Sequence, residues 1–341
     1  MALLINKAIL HIINNIGQET CYSRQELDVD SETCYEFVSK HVRRLMSNPG
    51  AKEATFSAES EIYRLVKDFQ KSALTFKDFS CRVCEKLASI MMENREIPPS
   101  DILVAFFDNG NKSYIAILKL NYSECFTHRV VEGDGGAETQ IIKNTSVLPI
   151  SASKVDEACL IPYDPMVLRI MEKAYSINGE DTCYFSKLFL ECETEMSKKE
   201  TAEIIQEIAN EINAKYFDED IEVATKVKRA IMEEAAVQQA VDAEAETFVL
   251  ENAVKRAYEE KPEAVAEFID MAKDYGLPYE VKLDEPYVKR AFKTQTFKAD
   301  NGIEIKYPVE LSNDPDTIQI TTNSDGSVSI TLKNLRRGGA N

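Results

Sequence analysis

The sequence predicts an α+β protein, and two patterns carry this prediction. Residues 317–322 and 327–332 each alternate apolar with polar side chains on either side of Asn323-Ser324-Asp325-Gly326. Alternation of this kind around an Asp-Gly turn is typical of a β-hairpin. Upstream, apolar residues recur at spacings of three and four, which is typical of amphipathic helices. We therefore expect a mixed α/β N-terminal domain, an acidic helical region and a C-terminal antiparallel β unit.

Length and composition favour a cytoplasmic protein with more than one domain. The chain of 341 residues is long enough for two domains, each with its own core. No apolar run approaches the ~20 residues that a membrane helix requires. Near the N-terminus only residues 8–13 form an apolar run, which is too short for a signal peptide. We expect no membrane partner.

Residues 1–190 predict an α+β domain that begins with strands and continues with helices. Strands are expected at residues 4–13 and about 20–27, and helices are expected after Ser31 (or Asp30), Ser57 and Thr75. Thr75 has the clearest start signal, because Asp78 follows three residues later. Leu74 and Phe79 occupy the positions of a hydrophobic staple around the same helix start.

The second half of this domain predicts further strands. Residues 102–107 and 114–120 are nearly continuous apolar runs around Asp108-Asn109-Gly110-Asn111, as expected for a hairpin whose sheet is covered on both faces. Further strands are expected at residues 147–161 and 183–190, with a short helix from Asp164-Pro165 between them. The glycine-rich segment 133–136 is expected to be a flexible loop, since it matches neither a Walker loop nor a dinucleotide fingerprint.

The charge of the chain changes twice along its length. Residues 191–286 carry 26 Asp/Glu against 11 Lys/Arg, a net of −15, on a pattern that predicts successive helices. Residues 287–341 carry eight Lys/Arg against six Asp/Glu, a net of +2 in a chain of −18. We expect three regions: a domain at 1–190, the acidic helices at 191–286, and a hairpin unit with a basic tail at 287–341. The last two are expected to pack together as one second domain.

The acidic region has two interpretations. Solvated outer faces of amphipathic helices explain it most simply, and a surface for a basic partner is the alternative. In either case, a net charge of −15 opposes phosphate within about 8 Å, the Debye length at physiological ionic strength. We therefore do not expect these helices to contact nucleic acid.

The sequence contains no local pattern that predicts an enzyme. It has no Gly-x-Ser-x-Gly, no Walker motif and no His-Glu-x-x-His, and its three histidines are scattered singly. We expect no catalytic residues, no metal and no cofactor. A nuclease built from dispersed carboxylates leaves no local signature, so a DNA-acting enzyme stays open as a third candidate.

Three short segments resemble the bacterial nucleoid-associated proteins of the YejK/NdpA type. They are Phe56-Ser57-Ala58-Glu59-Ser60-Glu61, Gly302-Ile303-Glu304-Ile305 with Leu311, and Asn334-Leu335-Arg336. The resemblance covers nearly the whole chain. It implies a non-enzymatic protein of the cytoplasmic nucleoid whose partner is DNA or a DNA-bound protein. If the protein contacts DNA through phosphates, we expect binding without sequence specificity. A homodimer is compatible with it. The alternative function is a regulatory adaptor that uses the acidic helices and touches no DNA.

If the protein binds DNA directly, the basic C-terminal segment is the expected contact, because phosphate binding depends on Lys and Arg. The candidate residues are Lys289, Arg290, Lys293, Lys333, Arg336 and Arg337. The first three crowd one side of a helical turn, or Lys289 and Lys293 share one face of a strand. The competing interpretation is that these are ordinary edge-strand and tail charges, which discourage aggregation.

We predict that the Cys81-x-x-Cys84 pair is structural. The pair lies in a strong helix pattern, and no second pair with metal-ligand spacing follows it. Elemental analysis of the purified protein should find no stoichiometric zinc. One metal per chain that disappears in a Cys81→Ser/Cys84→Ser variant would contradict this prediction.

Overall fold

The computed structural model describes residues 3–133, 136–151, 154–323 and 327–335. The chain divides into two compact units, Met1–Ser197 and Lys198–Asn341. Helices and antiparallel strands occur in both units, which confirms the α+β class.

The first unit contains most of the strands. They are β1 (Leu3–Asn14), β2 (Glu19–Cys21), β3 (Lys52–Phe56), β4 (Ser100–Asn109), β5 (Lys112–Asn121), β6 (Ser123–Gly133), β7 (Gly136–Val147), β8 (Glu157–Pro162), β9 (Leu168–Met171), β10 (Tyr175–Ile177), β11 (Glu180–Thr182) and β12 (Cys192–Thr194). Its α-helices are α1 (Glu32–Ser47), α2 (Glu61–Gln70) and α3 (Phe76–Glu93), and a π-helix spans Phe185–Leu190.

Eight strands form one antiparallel sheet in the order β12-β3-β9-β8-β5-β4-β1-β2. Its two faces carry separate cores: α2, α3 and the π-helix cover one face, and α1 covers the other. Ile102 and Val104 of β4 point to the first core, whereas Leu103 and Ala105 point to the second. The predicted two-sided burial of the β4–β5 hairpin is thus confirmed.

The predicted start of α3 is also confirmed. The Thr75 hydroxyl accepts a hydrogen bond from the Asp78 N–H at 3.1 Å and donates one to the Asp78 carboxylate at 2.6 Å. Leu74 and Phe79 both pack in the core below. This capping satisfies a backbone donor that the first helical turn leaves without an intrahelical partner.

A fully buried ion pair lies where β5 meets β8. The Lys119 ammonium is 3.5 Å from the Glu157 carboxylate, and both side chains are 0% exposed. Tyr184 donates a hydrogen bond to Glu157 at 3.1 Å, and Lys119 also donates to the side-chain oxygen of Asn121. Burial lowers the pKa of Lys119, while the Glu157 carboxylate opposes this shift. The two residues are register partners, so the pair fixes the alignment of β5 with β8.

Strands β6 and β7 form a long two-stranded hairpin, which we call the arm. Ten paired positions run from Ser123↔Val147 to Gly133↔Gly136. The side chains of Phe126, Val130 and Ile141 on the arm are 74%, 56% and 82% exposed. The arm departs from the sheet directly after β5, next to the buried ion pair.

Several sequence expectations for this unit are wrong. Of the strand expected at 20–27, only the first residues form a strand, as the end of β2. Of the strand expected at 147–161, residue 147 ends β7 and residues 157–161 belong to β8. The predicted helix from Asp164-Pro165 is absent from the described chain, which forms β9 after these residues. The strand expected at 183–190 is a π-helix. Positions 134 and 135 of the predicted glycine-rich loop lie outside the described residues, and its ends are part of the arm.

The second unit begins with helices and ends with hairpins. Its helices are α4 (Lys198–Phe217), α5 (Ile221–Val241), α6 (Leu250–Ala257), α7 (Pro262–Asp274) and α8 (Glu285–Phe292). Its strands are β13 (Phe248–Val249), β14 (Glu280–Val281), β15 (Thr294–Lys298), β16 (Glu304–Pro308), β17 (Ile318–Thr322) and β18 (Val328–Leu332), with a 3₁₀ turn at Val309–Asn313. One core joins α4 to α8.

The predicted C-terminal hairpin is confirmed by β17 and β18, which pair from Ile318↔Leu332 to Thr322↔Val328. Residues 324–326 of its turn lie outside the described residues. The hairpin and the β15–β16 pair share a small core with Ile221, the first residue of α5. The hairpins are therefore anchored on the helices by apolar burial.

We predict that Lys119→Met destabilises the first unit by about 3–5 kcal/mol, because it leaves the Glu157 carboxylate buried without a countercharge. Hydrogen exchange of the β5 and β8 amides measures this loss within the unit itself. Lys119→Met/Glu157→Leu should recover much of it, since an apolar pair of similar volume replaces a desolvated ion pair.

Lys7→Met is the matched control. Lys7 pairs with Glu26 at 3.0 Å, but both side chains are more than a third exposed. The expected cost there is about 0–1 kcal/mol. Equal costs for Lys7→Met and Lys119→Met would contradict the structural role of the buried pair.

Candidate nucleic-acid interface

Three of the candidate contact residues lie together at the C-terminal end of α8. Val288 and Phe292 of this helix are buried in the core of the second unit. Lys289, Arg290 and Lys293 consequently point to solvent, and all three are exposed. Of the two geometries open from the sequence, the helical one is observed.

The charge of this cluster is partly compensated. The Lys289 ammonium pairs with the Glu285 carboxylate one helical turn earlier. The Arg290 guanidinium lies over the Tyr287 ring, 5.1 Å from its centroid. Cations in the last turn also complement the partial negative charge of a helix C-terminus. Part of the role of Lys289 and Arg290 is therefore to stabilise α8 itself.

Lys333 is placed differently from the other candidates. It follows β18, is half-buried, and donates hydrogen bonds to the Pro315 carbonyl and the Gln319 side chain, each at 3.0 Å. Its ammonium thus holds the end of β18 against the start of β17. Arg336 and Arg337 lie outside the described residues.

Lys228 and Arg229 of α5 support the hairpins rather than forming a basic surface. The Lys228 ammonium donates to the Thr294 carbonyl at 2.9 Å, and burial lowers its pKa. Arg229 donates to the Ser312 hydroxyl at 2.7 Å. Both side chains thus bind polar groups at the base of the C-terminal hairpins, which ties α5 to the segment that follows α8.

The sequence interpretation missed a second basic cluster, on α1. Lys40, Arg43 and Arg44 are exposed, and none pairs with a carboxylate within the described ranges. Val38, Val42 and Leu45 bury the opposite side of the helix. The spacing of these residues in the sequence predicts the cluster, because basic residues at positions i, i+3 and i+4 share one helix face.

The outer side of α4 is acidic. Glu203, Glu207 and Glu211 are exposed at intervals of four residues, so they lie along one face of the helix. Glu207 and Glu211 raise the pKa of the neighbouring Tyr275 hydroxyl by their negative charge. Lys199 pairs with Glu203 at 3.6 Å, which compensates only one end of this face.

The described residues contain no group of three or more His, Cys, Asp or Glu placed to hold a metal ion. Cys84 is buried in the core of the first unit, and burial raises the pKa of its thiol. Burial likewise raises the pKa of Cys81. A raised thiol pKa disfavours the thiolate form that binds metals and attacks electrophiles.

The chain is thus a two-unit α+β protein with exposed basic clusters, and comparison with known families specifies it further. The family model described as nucleoid-associated protein YejK matches residues 9–338. The chain therefore belongs to this family, which confirms the resemblance noted in the sequence, and its role lies with the nucleoid. No curated protein matches the chain. Among the described helices, none is long and apolar enough to cross a membrane.

Proposed function

We propose that this protein is a non-enzymatic component of the cytoplasmic nucleoid that binds duplex DNA without sequence specificity. The observation that supports this most directly is the exposed cluster of Lys289, Arg290 and Lys293, in the C-terminal segment whose net charge is positive. In a chain of net charge −18, contact with phosphate requires cations segregated on one surface. Family membership in a nucleoid-associated group points in the same direction.

The geometry of the cluster suits contact with the phosphate backbone. Lys293 has no ion pair within the described part of the chain, so its ammonium can contact a phosphate without breaking one. Lys289 must exchange Glu285 for phosphate, but an i,i+4 pair on a helix contributes only about 0.3–0.5 kcal/mol, so this exchange costs little. Arg336 and Arg337 of the tail complete the proposed contact set together with Lys333, which must exchange its hydrogen bonds to Pro315 and Gln319 for phosphate. Such contacts position a protein on DNA and do not read its sequence.

The second candidate function is an adaptor without DNA contact, and the acidic face of α4 favours it. Glu203, Glu207 and Glu211 present an extended row of carboxylates to solvent. A basic protein surface is the partner that complements such a row. Under this alternative, the protein reaches the nucleoid through a DNA-bound protein.

We predict that Lys289→Gln/Arg290→Gln/Lys293→Gln weakens binding evenly across unrelated duplexes. Each phosphate contact removed should lower the slope of log affinity against log salt by about one unit. Arg336→Ala/Arg337→Ala should act in the same direction, with thermal stability nearly unchanged. Gel shifts at several salt concentrations measure these slopes.

The α1 variant Lys40→Gln/Arg43→Gln/Arg44→Gln removes the same three charges from the first unit and is the matched control. We expect it to leave the slope unchanged. A lower slope in this variant alone would place the DNA contact on α1. Full affinity in a variant lacking all six candidate residues and the α1 cluster would favour the adaptor. DNA crosslinks concentrated on α4 would contradict both the DNA contact at α8 and the adaptor function, because the α4 carboxylates should repel phosphate.

A further inference from the structure

A groove in the second unit is lined by residues other than those of α8. Its main cavity has a volume of about 790 Å³, and a neighbouring cavity of about 360 Å³ shares several of its walls. We call the two together the C-terminal groove. Its walls are the end of α4, the start of α5, the β15–β16 pair and strand β18. Volumes of this size are usual for a binding site.

Two buried side chains that line the groove carry oxygen atoms without a hydrogen-bond partner. Gln295 of β15 is 7% exposed and Asn213 of α4 is 6% exposed. The side-chain oxygen of each is buried and accepts no hydrogen bond from the described residues. The Asn213 amide nitrogen is already used, because it donates to the Asp220 carbonyl at 3.0 Å. A buried acceptor left unpaired costs about 1–3 kcal/mol, so both oxygens favour a ligand that donates hydrogen bonds.

The rim of the groove is acidic. Asp218 and Glu219, in the turn between α4 and α5, and Asp300, in the turn after β15, are exposed, and no cation among the described residues pairs with them. Asp218 and Glu219 both have positive φ angles, 49° and 60°, so the backbone holds the two carboxylates in a left-handed turn. Of the two lysines in the walls, Lys298 is 73% exposed and lies 3.9 Å from Glu304, and Lys228 donates to a backbone carbonyl.

The floor of the groove is apolar. Ile305 and Ile330 are half-buried and belong to the small core below the hairpins. Ile303 at the edge is 56% exposed. An occupant must therefore combine apolar side chains with positive charge and hydrogen-bond donors.

We propose that the C-terminal groove binds an extended peptide segment of a partner protein in which basic and apolar residues alternate. Basic side chains would meet the acidic rim, apolar side chains would cover Ile303 and Ile305, and donors would reach Gln295 and Asn213. Two two-stranded sheets form part of the walls, so each strand has an edge at which an extended peptide can pair its main chain. This site shares no lining residue with the proposed DNA contact, and on the proposed function it provides the adaptor with a surface and a partner chemistry.

The test measures fluorescence anisotropy of a labelled ten-residue peptide in which Lys or Arg alternates with Val or Ile, titrated with the full chain. The same peptide with Glu at every basic position is the first control, and spermine as a competitor is the second. We expect saturable one-to-one binding of the basic peptide, no binding of the acidic peptide, and no displacement by spermine. Displacement by equimolar spermine would overturn the proposal, because it would assign the groove to small polyamines.

Variants connect this binding to the groove. Asp218→Asn/Glu219→Gln should weaken the peptide about fivefold, since two exposed ion pairs contribute roughly 1 kcal/mol together. Gln295→Leu should weaken it roughly tenfold, as for a lost hydrogen bond to a charged group. It should leave the melting temperature unchanged or higher, because the unpaired buried acceptor disappears. A purely structural role for Gln295 predicts a lower melting temperature.

Glu244→Gln/Glu246→Gln removes the same charge as the rim variant from an exposed segment outside the groove. It should leave peptide affinity unchanged. Equal losses in this control and in the rim variant would overturn the proposal, because general attraction to an acidic protein would then explain the binding. Gel shifts on the same variants measure DNA binding separately from peptide binding. The peptide site and the DNA contact can therefore be contradicted independently of each other.

Discussion

The buried pair of Lys119 and Glu157 is the contact on which the architecture of the first unit depends. The chain leaves the sheet after β5, forms the arm and returns as β8, so local sequence does not determine how β8 aligns with β5. Pairing Lys119 with Glu157 selects one register, because a shift of β8 by one residue would send Glu157 to the face of the sheet opposite Lys119. Both faces carry an apolar core, and neither core could accept an unpaired charge.

Much of the positive charge of the protein supports its own fold. Lys228 and Arg229 bind polar groups at the base of the C-terminal hairpins, and Lys333 closes one of them. A count of Lys and Arg along the sequence therefore overestimates the charge offered to a partner. The exposed clusters on α8 and α1 differ from these residues because their apolar neighbours face the core and leave the cations outside.

The sequence predicted elements whose signals are local. The cap at Thr75 and the apolar runs of β4 and β5 appear where they were expected. The arm was missed because its strands are exposed on both sides, so burial imposes no apolar alternation on them. Residues 185–190 were assigned to a strand because a short apolar run fits a buried helical turn equally well. The α8 cluster was predicted as a group. The hydrogen bonds of Lys333 within its own hairpin were not predicted, because they depend on tertiary contacts.

The C-terminal groove could not be predicted from sequence, because its acceptors and carboxylates come from segments far apart in the chain. Asn213, Asp218 and Gln295 look like ordinary polar residues until folding brings them to one cavity. Its charge opposes that of α8: the rim of the groove carries exposed carboxylates, and the end of α8 carries exposed Lys and Arg side chains. A duplex bound at α8 would be repelled from the groove, whereas a basic peptide would be repelled from α8. On the proposed function, this opposition directs two partners of opposite charge to different surfaces of the same unit and reduces competition between them.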